Sequence, residues 1–202
     1  MNLTEKQGDA VVKYARAVIK GHFSKEKPKV PEILKDVFTE NRGVFVTLDT
    51  YPDHKLRGCI GYPEPILPLG KAVEDSALSA ALRDPRFQRV REDELDNIVV
   101  EVSVLTKPEL IKVNNPKEYP KQVKIGRDGL IVQGGWSRGL LLPQVPVEWK
   151  WDAEEFLSQT CVKAGLTPDT WLAKETKIYS FQAQIFAEET PGGKVVEKFL
   201  TE

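Results

Sequence analysis

Apolar residues recur at helical spacing near the start of the chain, at Val11, Val12, Ala15, Val18 and Ile19. Thr4 followed by Gln7 has the form of a capping box, so a helix is predicted over 4–20 with Gly21 at its C′ position. Pro28 and Pro31 mark 25–31 as a connector, and 32–38 reads as a further short helix. The period then changes. Val44, Val46 and Leu48 alternate with Phe45, Thr47 and Asp49, a strand over 44–49. After a turn-rich 50–55, a second strand over 56–62 completes an antiparallel hairpin. Pro63, Pro65 and Pro68 stop any regular continuation. A helix over 69–82 follows, rich in alanine and ended by Asp84 before Pro85.

The strongest strand pattern is 97–106, with Ile98, Val100, Val102 and Val104 on one face and Val99 and Leu105 on the other, as in an interior strand. Short strands are expected at 123–125, 130–133 and 140–142, with Asp128-Gly129 as a hairpin turn. Asp152 caps a helix that runs to about Lys163, where Gly165 can end it. A long alternating strand covers 177–186. Strands joined mostly by hairpins, with helices between them, define an α+β fold with antiparallel sheet. Trp149, Trp151 and Trp171 are expected to pack the later part of the chain.

Composition narrows the function classes. The 202 residues carry 29 basic and 30 acidic side chains, a net charge of −1 that leaves no electrostatic footprint for nucleic acid. No apolar run reaches the roughly 18 residues of a membrane span, and the first residues lack a signal-peptide pattern. With only Cys59 and Cys161, no disulfide framework is expected, so the default location is a reducing cytoplasm.

The candidate chemistry centres on Leu56-Arg57-Gly58-Cys59-Ile60-Gly61-Tyr62. Alternation places Leu56, Gly58, Ile60 and Tyr62 on a core face and Arg57, Cys59 and Gly61 opposite. Arg57 would then stand roughly 7 Å from the thiol, close enough to favour thiolate. Cys59 is the nucleophile candidate; its plain alternative is a small buried apolar side chain. A histidine base is hard to supply. His54 lies about 16 Å away along an extended strand, and His22 follows the first helix. No metal is expected, for want of Cys-x-x-Cys or His-x-x-x-His spacing, and no cofactor motif is present. Arg83 and Arg86 can answer a helix C-terminus. Gly134-Gly135-Trp136-Ser137-Arg138 reads as a β-hairpin, or as an anion-binding turn with Arg138 beside it.

Five segments resemble the AMMECR domain family: Leu-Arg-Gly-Cys-Ile-Gly at 56–61, Arg-Asp-Pro-Arg-Phe at 83–87, Glu-Val-Ser-Val-Leu-Thr at 101–106, Ile-Gly-Arg-Asp-Gly-Leu at 125–130 and Gly-Leu-Leu-Leu-Pro-Gln-Val at 139–145. Gln88-Arg89 departs from the prolines that relatives often carry there. The resemblance implies one domain over 1–202 in two lobes. A larger lobe (1–106 with 176–202) holds both termini around the sheet, a smaller one (107–175) is inserted, and a cleft lies between them. It assigns no reaction. Cys59, Arg57, Gly58 and Gly61 match the motif, with Arg86 and Arg138 as further ligand-binding candidates. Memo-like and radical-SAM proteins are the family's associates, and hence candidate partners. A ligand- or partner-binding accessory domain is the leading expectation. A cysteine-dependent enzyme, with Arg57 positioning an anionic group, is the alternative.

Overall fold

The computed structural model describes residues 2–198. In chain order the elements are α1 (Glu5–Ser24), β1 (Val44–Thr50), β2 (Leu56–Tyr62), α2 (Leu69–Leu82), β3 (Ile98–Leu105), β4 (Glu109–Leu110), α3 (Tyr119–Gln122), β5 (Asp128–Gly134), β6 (Ser137–Leu141), α4 (Gln144–Glu148), α5 (Ala153–Lys163), β7 (Lys177–Glu188) and β8 (Val195–Lys198). Every strand pair whose register is resolved is antiparallel, and the fold is α+β. The chain forms two compact units, one running to Leu105 and resuming at Gln184, the other from Thr106 to Ala183. The expected extension of the larger lobe over 199–202 lies outside the described residues.

In the first unit β2 is the outer strand, followed by β1 and β3. Val44, Val46 and Leu48 of β1 and Val100, Val102 and Val104 of β3 face one way and are buried with the apolar sides of α1 and α2. Helix α1 begins with the expected capping box at Thr4 and Gln7. Gly21 does not end it. The helix continues to Ser24 and closes at Lys25, whose backbone is left-handed (φ 60°). Gly21 serves a different need, because a Cβ there would stand 2.2 Å from the Glu26 carbonyl oxygen. The glycine lets the chain fold back over the helix. Residues 32–38 form two short 3₁₀ turns, Glu32–Leu34 and Val37–Thr39, rather than a helix.

The hairpin of β1 and β2 is regular from Val44↔Tyr62 to Leu48↔Gly58, and then Asp49 pairs with Leu56. Arg57 is thus the extra residue of a bulge. One inserted residue reverses the alternation beyond it, so Leu56 leaves the core face assigned to it and is exposed. Helix α2 packs against the core face of β2. Ala72, Val73, Ala77, Ala80 and Ala81 are buried, and a Cβ on Gly58 would lie 2.2 Å from the Ala80 carbonyl oxygen.

The second unit has its own core, in which Leu130, Val132, Phe156, Leu157, Trp171 and Ile178 are buried. β5 pairs with β6 through a tight turn at Gly135 and Trp136, so the plain hairpin reading of this glycine pair is the observed one. Residues 123–125 are not a strand, and Asp128-Gly129 is not the turn. The chain reverses through Gly126, at φ 76°, and Asp128 already pairs with Gln182 of β7. The Asp128 side chain receives the Lys124 N–H and the Arg127 guanidinium, which draws it into the start of β5. Asp152 caps α5 by accepting the Glu155 N–H at 2.8 Å. Trp171 is buried, whereas Trp149 stacks on Trp151 and is largely exposed. Among the described residues no helix is long and apolar enough to cross a membrane.

The contact between Gly58 and Ala80 gives a direct test. The obstructing atom is helix backbone, which cannot rotate away as a side chain could. Gly58→Ala is expected to lower stability by about 1–3 kcal/mol, read as a fall in the urea midpoint with an unchanged m-value.

Candidate functional site

The face of β1, β2 and β3 turned away from the helices carries the candidate residues Cys59 and Gly61. Register sets Cys59, Thr47 and Glu101 side by side across the three strands. The Thr47 hydroxyl donates to Cys59 Sγ at 3.2 Å. One row along, the Phe45 ring lies against Gly61, where a Cβ would stand 2.6 Å from ring atoms and 2.2 Å from the Val44 carbonyl oxygen. Gly61 is therefore a close-approach position. Asp49 lies on the same face, with its carboxyl pushed up by burial and by the Glu101 charge. Glu101 is itself paired with Lys198 at 2.8 Å.

Cys59 is partly buried, and its main chain is held by the segment that follows α2. Its N–H donates to Asp84 Oδ2 at 2.9 Å, and its carbonyl oxygen accepts from Arg86 Nη2 at 3.0 Å. Asp84 is almost wholly buried. It also accepts from the Arg86 N–H at 3.1 Å and from the Arg86 guanidinium at 3.0 and 2.7 Å. Arg86, with Cys59, holds the Asp84 carboxyl far below the usual carboxylate range. Arg83 turns back onto α2 instead, bonding Ser79 Oγ and Asp75.

Arg57 does not stand beside the thiol. The bulge directs its guanidinium to Glu94 at 3.0 and 3.2 Å and to the Gln88 carbonyl at 2.8 Å. The cation that acts on Cys59 is Arg86, and it does not prevail. Burial pushes the thiol up from its ordinary value, against the lowering effects of the Thr47 hydroxyl and Arg86, while Glu101 and Asp84 add to the rise. The direction for Cys59 is thus opposite to the thiolate expectation, with burial as its first cause. Arg138 belongs to the second unit, where it lies over the Tyr179 ring at 5.7 Å and reaches Gln133 Oε1 at 3.4 Å. The structure thus brings Cys59 and Arg86 together, sets Gly61 one row along beside Phe45, turns Gly58 towards α2, and ties Arg57 to Glu94 and Gln88. Thr47, Asp84 and Glu101 were missed by sequence reasoning. Thr47 had a signal, since strand alternation puts it off the core face. Asp84 was read only as a helix stop.

This arrangement falls within a known family. The AMMECR1 family profile matches residues 12–186, and the chain belongs to that family. Protein MJ0810 of Methanocaldococcus jannaschii is 60% identical over 198 residues, covering 98% of each chain. A protein of Methanothermobacter thermautotrophicus is 55% identical over 188 residues, covering 93% of this chain and 97% of its own. The crystal structure of uncharacterized protein PH0010 from Pyrococcus horikoshii superposes with a TM-score of 0.83 at 50% identity, covering 98% of this chain and 99% of that one.

Removing the Asp84 charge exposes what it contributes. Asp84→Asn is expected to lower stability at pH 7 by about 2–4 kcal/mol, because the Cys59 N–H and Arg86 lose a charged acceptor. The folded-state value is depressed, so the contribution is complete above the unfolded carboxyl range near 4 and is lost as pH falls towards the folded value. Denaturation of both proteins at several pH values checks this: the difference stays constant from about pH 7 to 5 and narrows below about pH 4.

Proposed function

We propose that this domain works by recognition: it is a ligand- or partner-binding accessory domain whose site is the polar face of β1, β2 and β3 around Cys59. The observation that carries this reading is the state of the sulfur. Burial outweighs the cation beside it, the Thr47 hydroxyl donates to it, and no histidine figures among the groups that shift it. A cysteine nucleophile needs either a base or a depressed pKa. What the face offers is a set of fixed polar groups: the Thr47 hydroxyl, the thiol, two carboxylates and a half-exposed guanidinium. Such groups, held by a rigid sheet, suit selective binding. The Memo-like and radical-SAM proteins associated with the family are the enzymes such an accessory domain would serve.

The alternative is a cysteine-dependent enzyme. Its support is the Arg86 guanidinium, which favours the thiolate as Arg57 was expected to do. One measurement separates the two. Iodoacetamide labelling of Cys59, followed by mass spectrometry from pH 6 to 10.5, is expected to be slower than that of a free cysteine at pH 7. The rate should still be climbing at pH 9.0, the ordinary thiol value. Thr47→Val removes a donor that favours thiolate, so labelling at pH 9.0 should slow further. Rapid labelling that levels off below pH 8 would favour the enzyme.

A further inference from the structure

A cavity of about 320 Å³ lies in the helical layer of the first unit, between the end of α1, the residues that fold back after it, and α2. Val18, Pro28 and Leu78 make its wall mostly apolar, and its volume suits a small molecule. Gly21 lets the returning connector form one side, because a Cβ there would stand 2.2 Å from the Glu26 carbonyl oxygen.

Charge does not select an ion for this cavity. Lys25 and Lys27 line it together with Glu26 and Glu74, two cations against two carboxylates, and His22 completes the polar lining. His22, Lys25, Glu26 and Lys27 are exposed, where water and salt screen them, whereas Glu74 is half-buried on α2. Glu74 is also the one that is held. Its Oε1 accepts the hydroxyl of Tyr14, which is buried in the core and set edge-on to the Phe38 ring at 5.2 Å. Burial, and then the hydrogen bond to Glu74, push the Tyr14 phenol up, so the proton stays on the tyrosine and the carboxylate remains an acceptor. Among the described residues no hydrogen bond reaches Glu74 Oε2. The cavity thus combines an apolar wall, balanced charges and one fixed acceptor.

We infer that this cavity binds a small neutral apolar molecule with one hydroxyl or N–H group, which donates to Glu74 while the hydrocarbon body lies on Val18, Pro28 and Leu78. Balanced charges give an ionic head no gain to offset its desolvation. This goes beyond the recognition face around Cys59 and does not depend on it. The probe is 2-naphthol, neutral at pH 7, compared with 2-methoxynaphthalene, 2-naphthoate and 2-naphthylmethylammonium on the same ring system. Titration followed by amide NMR shifts is expected to show one saturable site for 2-naphthol, with the shifts concentrated at Gly21, His22, Glu74 and Leu78. Its affinity should exceed that of the ether and of both ions at least five-fold. Glu74→Gln puts a weaker neutral acceptor in place of the carboxylate, so 2-naphthol should bind at least three-fold more weakly while the ether is unaffected. Leu78→Trp, which fills the cavity, should weaken 2-naphthol at least ten-fold; the shift map uses the unaltered protein and stands even where this variant does not fold. No saturable binding, shifts centred elsewhere, or an ether or ion that binds as tightly as 2-naphthol would overturn the inference. So would equal losses of 2-naphthol and ether in Glu74→Gln, or full binding by a folded Leu78→Trp protein.

Discussion

A buried carboxylate holds the candidate site together. β2 is the outer strand of its unit, and an outer strand leaves alternate N–H and C=O groups without a neighbour. At Cys59 both groups are taken by side chains: Asp84 accepts the N–H and Arg86 donates to the carbonyl. The two also bond each other, so together they imitate one residue of a missing strand. This requires the end of α2 to lie close to β2. Gly58 permits it, because the Ala80 carbonyl occupies the space a Cβ would need. The glycine-flanked cysteine and the Arg-Asp-Pro-Arg-Phe run are therefore two halves of one contact, although 24 positions separate Cys59 from Arg83.

The same contact decides the character of the sulfur. A lone guanidinium near a thiol favours thiolate. Arg86, however, arrives already bound to Asp84, and the pair brings a negative charge with the positive one. The two effects on Cys59 oppose each other, as the directions of their influence show. Desolvation is then left to dominate, and it always favours the neutral form of a thiol. A residue that looks activated beside one arginine is pushed the other way by burial, and the arginine's own partner adds to that push.

Much of the fold was legible in the sequence because it rests on local rules. The capping box at Thr4, the end of α2 before Pro85, the Asp152 cap and the alternation of β3 all appear where periodicity and capping chemistry put them. The failures share a different cause. Arg57 was misplaced because a bulge is a pairing event, and nothing in 56–62 alone says where the partner strand slips by one residue. Gly21 was misread because its purpose is the approach of Glu26, a contact that helix statistics do not contain. Asp84 was passed over because its role depends on a strand far away in the chain. Candidate residues were thus recognisable by type, whereas their mutual orientation depended on long-range packing.

Helix α2 shows how one short element can serve two surfaces. Ala77, Ala80 and Ala81 lie on its buried side, and their small side chains let the helix axis come close to the sheet. Leu78 and Leu82, four positions apart, fall on a different stripe of the helix and are only partly buried there, lining a cavity of about 400 Å³ with Phe23 and Val90. The close approach on one side is what leaves the larger side chains free on the other. Replacing an alanine on the sheet side with a larger residue would lift the helix, loosening the Asp84 contact and reshaping that cavity together. The polar sheet face and this cavity are chemically separate, but the alanine side of α2 sets the geometry of both.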